Sequence, residues 1–199
     1  MEAKNTPRGR PRKFDEDRIL DIARDLFWRQ GYEGTSIKHL TEATGLTPPS
    51  LYAAFGSKEG LFVRALDRYT DTFGTKLMQG MAEEQHLKRA FSRLLRNCVD
   101  QFTSKGRYPG CMISLGVLVC APENEHIAED LAQRRLRVSA QLLDRLKADR
   151  HQLPDGTDLV ALANFFAMAI EGLSIQAHDG LDKNGLDKLS KFIMAGWPS

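Results

Sequence analysis

A chain of 199 residues with 42% hydrophobic and 27% charged side chains can bury one or two cores, and its composition is ordinary for a globular protein. A net charge of +2 sets up no global basic field, and three cysteines without a secretory leader predict a reducing, cytoplasmic setting in place of a disulfide framework. The sequence has no P-loop, Rossmann glycine pattern, H-E-x-x-H, G-x-S-x-G or CxxC pair, so it predicts no enzyme, no metal and no cofactor.

The distribution of charge says more than its sum. Residues 1–70 hold 12 Lys/Arg against 10 Asp/Glu, whereas residues 71–199 hold 16 of each. Most of the surplus is Lys4, Arg8, Arg10, Arg12 and Lys13, set among Pro and Gly with Glu2 as the only acid. Residues 1–13 therefore read as a disordered basic arm that follows phosphates or enters a minor groove.

A first helix is predicted over residues 15–30. Ile19, Ile22, Ala23, Leu26 and Phe27 form its buried stripe, Asp15, Glu16 and Asp17 suit its positive end, and Gly31 stops it. Residues 35–55 then divide into two short helices. Ile37, Leu40 and Ala43 share a face, Thr35 or Ser36 caps the helix, and Gly45 ends it. Pro48 opens the second, with Leu51 and Phe55 inward and Thr47, Pro49, Ser50 and Tyr52 outward. Two short helices across a tight glycine turn make a helix-turn-helix, whose second helix enters the major groove.

The stretch Y-A-A-F-G-S-K-E-G-L follows at residues 52–61. With Phe27, Gly31, Tyr32, Thr35, Ile37, Ala43, Gly45, Leu46, Tyr52, Phe55, Lys58, Glu59 and Leu61, the region 15–70 resembles the amino-terminal domain of the tetracycline-repressor (TetR) family of bacterial transcription regulators. The resemblance implies an all-α fold in which a helix-turn-helix domain, residues 14–60, is joined by a linking helix to an effector-binding and dimerisation bundle, residues 61–199. It implies DNA contacts by Arg8, Arg10, Arg12, Lys13, Thr35, Ser36, Lys38, Thr47, Pro48, Pro49, Ser50, Tyr52 and Lys58. Pro49 stands where many members carry Gly, so base preference does not carry over.

Ser57 is expected to cap the fourth helix, which carries Leu61, Phe62, Ala65, Leu66 and Tyr69 inward and ends between Gly74 and Gly80. A further helix from Glu84 bears Phe91, Leu94, Leu95, Cys98 and Phe102 and breaks at residues 104–110. The nearly uncharged residues 111–119 read as a short, central helix, followed by a long charged helix over 123–150 whose Q-R-R-L-R segment reads as a solvated face. Residues 159–170 are apolar all round but for Asn164, about half the ~20 residues a membrane span requires, so no membrane is expected. A last amphipathic helix spans 183–195. The family resemblance implies a homodimer through residues 157–177 and 183–196, with two reading heads about 34–36 Å apart on a palindromic double-stranded operator.

Two inputs fit a regulator. One is a small apolar effector, as the resemblance implies, with Phe62, Phe91, Leu95, Phe102, Met112, Leu115, Phe165, Phe166 and Met168 as candidate lining. The other is thiol sensing at Cys111, which follows Pro109-Gly110 and is expected to start a helix whose dipole favours thiolate. The competing class is an all-α carrier or enzyme with a ligand cavity and no specific DNA binding.

Overall fold

The computed structural model describes residues 15–199, and the basic arm with Arg8, Arg10, Arg12 and Lys13 lies outside them. The described residues contain α1 (Glu16–Gly34), α2 (Ile37–Thr44), α3 (Pro48–Phe55), α4 (Lys58–Tyr69), α5 (Thr75–Ala82), α6 (Leu87–Phe102), α7 (Glu125–Ala148), α8 (Leu159–His178) and α9 (Lys183–Ala195).

Short polar side chains start the helices of the first unit. Asp15 accepts the amide of Arg18, Ser36 that of His39, Thr47 that of Ser50 and Ser57 that of Gly60. Each occupies an otherwise orphaned donor. The expected end of α1 at Gly31 is instead a kink, with φ of 71° and ψ of 173°, after which one more turn brings Tyr32 into the core. Gly60 is required for a different reason: a Cβ there would collide with the carbonyl of Phe55.

Ile19, Leu20, Ala23, Phe27, Leu40, Leu51, Phe55, Leu61, Phe62 and Leu66 close one core, which also takes in Trp28, Tyr69, Phe73, Met112, Ile127 and Leu131. Ion pairs bind α4 to α1. Arg68 meets Asp21 at 2.7 Å and Asp17 at 2.9 Å, and Arg64 pairs with Glu16.

The fourth helix does not end between Gly74 and Gly80. It passes through a π-turn, Thr70–Gly74, where the amide of Thr75 reaches back to the carbonyl of Thr70, and continues as α5. A second core is built around α6, whose Leu87, Ala90, Phe91, Leu94, Leu95, Cys98, Val99 and Phe102 are all buried. Trp197 folds back onto Phe91 and Phe166, with ring centroids 5.2 and 5.7 Å away.

Residues 111–119 were expected to be the central helix and are not helical. Ile113, Val117 and Val119 are β-branched, Gly116 weakens any helix by about 1 kcal/mol, and only the Leu115 amide closes a turn, onto Cys111 at 2.9 Å. The segment crosses the bundle as irregular chain, pinned where Cys111 N–H meets Ser174 Oγ at 2.8 Å and where Arg135 donates to the Ile113 carbonyl at 3.2 Å.

The Q-R-R-L-R segment is not simply a solvated face, because Arg134 is buried and holds Asp67 of α4 and Asp130, each at 2.7 Å. The apolar helix is also longer than expected. Over Leu159–His178, α8 has the length and apolarity to cross a membrane, yet Leu162, Ala163, Phe166, Ile170, Leu173 and Ala177 are buried against α6, α7 and α9.

Candidate nucleic-acid interface and ligand cavity

The turn between α2 and α3 passes through Gly45 in the left-handed region, so the two helices cross at a fixed angle and present α3 outward. Thr47, Pro48, Pro49, Ser50, Tyr52 and Ala53 are all exposed, while Leu51 and Phe55 anchor the opposite face. Pro48 and Pro49 supply no amide donor in the first turn. The hydroxyls of Thr47 and Ser50 lie 2.9 Å apart, one donating a hydrogen bond to the other. The surface therefore offers hydroxyls and apolar methylenes in place of bidentate amides or guanidinium groups, which suits methyl contacts and shape readout.

The remaining candidate DNA residues divide in two. Ser36 and Lys38 are exposed at the start of α2, and Lys38 makes only a loose pair with Glu42 at 3.8 Å. Ser36 shares its cap with His39, whose ring accepts the Ser36 amide at 3.3 Å. This role for His39 was missed because Glu or Gln ordinarily fills it. Thr35 is different: it is buried, and its hydroxyl donates to the Gly31 carbonyl at 2.7 Å. It sets the approach of α2 and offers no side-chain atom to an outside phosphate.

Tyr52 is 46% exposed at the edge of α3. Lys58 folds toward the end of α1, donating to the Tyr32 carbonyl at 3.0 Å with its ammonium 4.1 Å from the Tyr32 ring. Burial pulls its pKa down from the ordinary value, against the pull of Glu33. Two of its three N–H groups remain for a phosphate beside the start of α4.

A cavity of about 450 Å³ opens between α5, α6, α7 and α8, in the size range of small-molecule sites. Leu77, Met78, Leu94, Cys98, Phe102, Ile113, Val138, Ala167 and Ile170 supply its apolar wall, and its polar groups include Gln79, Gln101, Ser114, Arg134, Arg135, Arg137, Gln141 and Glu171. Tyr69 and Cys111 join them. The Tyr69 hydroxyl donates to Cys111 Sγ at 3.3 Å and accepts from Gln101 at 3.2 Å, and burial raises its pKa well above the usual phenol value.

Of the nine expected lining residues, only Phe102 lies on this wall. Phe62 is spent in the first core, 4.9 Å from Phe27 and 5.1 Å from Tyr32 between ring centroids. Phe91 and Phe166 pack on each other at 4.7 Å, Phe165 leans on Phe166 at 5.3 Å, and Leu95 is fully buried beside them. Phe62 also borders, with Met112 and Leu115, a smaller recess near Trp28 and His178. Met168 is 61% exposed on the outside of α8. Large side chains on the strongest stripes fill cores; space remains where smaller or flexible ones, such as Ala167 and Met78, face one another.

Cys111 stands on the cavity wall, but no helix begins there and no helix dipole faces its thiol. Burial drives the Cys98 thiol far up, and partial desolvation, followed by Glu33 and Glu125, raises that of Cys120. Among the described residues, no group of three or more His, Cys, Asp or Glu is placed to hold a metal.

Comparison with known proteins bears on the first unit and on the whole chain. The family described as bacterial regulatory proteins, tetR family, matches residues 19–65. The HTH-type transcriptional repressor ComR of Escherichia coli (strain K12) is 38% identical, over 96% of this chain and 92% of its own. BdcR, an HTH-type transcriptional repressor of the same organism, is 30% identical over 86% and 83% of the two chains. A cysteine mutant of the TetR family regulator CifR, solved with a 26-bp double-strand operator, superposes with a TM-score of 0.92 at 38% identity, covering 96% of this chain and 100% of that one. The chain thus belongs to the TetR family, as a helix-turn-helix DNA-binding regulator of transcription.

Proposed function

We propose that this protein is a cytoplasmic repressor that binds a palindromic operator as a homodimer and leaves it when a small, mostly apolar effector fills the cavity. Residues 1–13 act as a basic arm, residues 14–60 as the reading head, and residues 61–199 as the effector-binding and dimerisation part. The observation that carries this reading is α3, anchored by Leu51 and Phe55 and open to an external partner along Thr47, Pro48, Pro49, Ser50 and Tyr52. Lys38, Ser36 and Lys58 flank it as backbone contacts, and the CifR complex with operator DNA supports the same use of this end of the fold. Dimerisation is supported by Val160, Met168 and Ile175 on α8 and Leu189 and Phe192 on α9, all exposed and apolar.

The linkage between sites runs through α4. Lys58 lies at its head, and Tyr69 at its tail touches the cavity. An effector releases DNA only in so far as it binds the tilted, non-binding arrangement more tightly than the binding one. The test is affinity for the DNA upstream of the protein's own gene, and for a library of operators, measured across salt. Sequence-specific binding with a steep salt slope that flattens on removal of residues 1–13 is expected. Sequence-independent binding throughout the library would leave the carrier class standing instead.

A second reading is favoured by the position of Cys111 on the cavity wall, within reach of the same ligands. An apolar α,β-unsaturated electrophile held there adds to Cys111: the S–C bond forms as the alkene π bond breaks, the thiol proton passes to the resulting carbanion, and the added group crowds the Tyr69 hydroxyl that donates to Sγ. DNA release by such a reagent, abolished in Cys111→Ser, is the expected signature; equal release from the variant would exclude it.

A further inference from the structure

We infer that the effector is an amphipathic carboxylate, an apolar body with one anionic head directed at Arg135. This inference rests on the reading of the cavity as the effector site.

The charges around the cavity are not all committed. Arg134 is fully engaged with Asp67 and Asp130. Arg135 is half-buried, lines the cavity and donates to a single neutral acceptor, the Ile113 carbonyl. Arg137 stands at the exposed rim, and Glu171 of α8 is the one carboxylate in the lining among the described residues. Neither Arg135, Arg137 nor Glu171 has an ion-pair partner among the described residues. Arg135 is thus a half-buried guanidinium on the cavity wall with no carboxylate of its own among the described residues.

That unpaired guanidinium decides the ligand class through desolvation. Without a ligand, water entering by the mouth solvates Arg135. An apolar body seated against Leu77, Met78, Leu94, Phe102 and Ile170 displaces this water. A neutral ligand then strands a guanidinium in a low-dielectric wall, a costly arrangement. A carboxylate replaces the lost water by accepting charge-assisted hydrogen bonds, which the planar fork of Arg donates in two-point geometry. Arg135 also holds the irregular segment at Ile113, two residues from Cys111, so a head group competing for its N–H groups loosens that segment from α7.

The experiment uses the full chain with a neutral apolar dye, Nile red, displaced by naphthoate, its methyl ester or naphthylmethylamine. Naphthoate is expected to displace the dye at roughly tenfold lower concentration than the ester. In Arg135→Gln this preference should fall to about unity, and in Arg135→Lys part of it should remain because the charge is kept. Dye affinity and melting temperature serve as the folding control for both variants. The inference is overturned if acid and ester compete equally in the unaltered protein. It is also overturned if the preference survives in Arg135→Gln, or if the amine wins and loses its advantage in Glu171→Gln. Failure of the underlying reading looks different: the dye then binds Ala167→Phe, whose cavity is occluded, as well as the unaltered chain, and that result overturns both.

Discussion

The reading head and the bundle behind it are finished to different degrees. In the head, every helix is started by its own side chain, and Leu40, Leu51 and Leu61 are completely buried. Its exposed face carries polar and small apolar groups and, at Tyr52, a half-exposed phenol. The bundle is left open twice, inside at the cavity and outside where Phe192 and Met168 are 78% and 61% exposed. A surface that must meet the same DNA geometry each time benefits from a rigid support. A region that must accept a ligand and a second subunit keeps unfilled volume and uncovered apolar area, both of which lower its stability as an isolated chain.

The contrast is broken most sharply by Leu40→Ala. This should cost about 2–5 kcal/mol, because the head has no slack with which to collapse around the void. Denaturant unfolding that shows a loss below ~1 kcal/mol would mean the head is as loosely packed as the bundle. Next in size is Phe192→Asp on the outer face. It should shift the dimer toward monomer by at least about 2 kcal/mol while leaving the fold intact, as sedimentation would show. An unchanged dimer would move the interface elsewhere.

Arg134→Ala removes the tie between the two regions and leaves Asp67 and Asp130 facing each other. A loss of about 1–2 kcal/mol is expected, below the value for a fully buried pair because Asp67 is largely solvated. Arg134→Met should recover part of this by restoring packing. Ala167→Leu should change stability by less than ~1 kcal/mol, since its added carbons enter empty space, yet it should weaken uptake of apolar dyes. A large destabilisation would show that the cavity is smaller than its outline.

The smallest effect is a pH dependence. Hydrogen bonding from Arg68, assisted by Arg24 and opposed by partial burial, holds the Asp21 carboxyl below its usual pKa. A depressed folded-state pKa stabilises the fold above the unfolded value of about 3.9, and that contribution fades as pH falls through the folded value. Solvent screening limits it to under ~1 kcal/mol. Asp21→Asn should therefore flatten acid unfolding below about pH 4, and an unaltered acid limb would assign that limb to other carboxylates.

The same contrast governs what could be read from the amino acids. Caps, the Gly45 turn and the inward pair Leu51 and Phe55 are local signals, spaced within a few residues, and α9 is found at the predicted bounds Lys183–Ala195. Buried Thr35 escaped because nothing in its neighbourhood distinguishes a hydroxyl aimed at a phosphate from one aimed at Gly31. The cavity escaped for a larger reason. Periodicity marks which residues point inward, but cannot tell a filled interior from an empty one, so Phe91 and Phe166 looked as eligible as Phe102. The irregular path of residues 103–121, which brings Cys111 and Ile113 onto that wall, depends on contacts with Ser174 and Arg135 far away in the chain.

The π-turn at Thr70–Gly74 has a consequence for helical phase. Such a turn holds one residue more than an α-helix would, and each residue in a helix advances the azimuth by about 100°. The faces of α4 and α5 are therefore offset: Phe73 meets the head's core, Tyr69 meets both that core and the cavity, and Leu77 and Met78 look into the cavity. Removing one residue from the turn would restore a single α-helical phase and swing Leu77 and Met78 away from the cavity by about that angle. The turn is thus a phase adjuster that lets one continuous rod serve two interiors, each with its own azimuth.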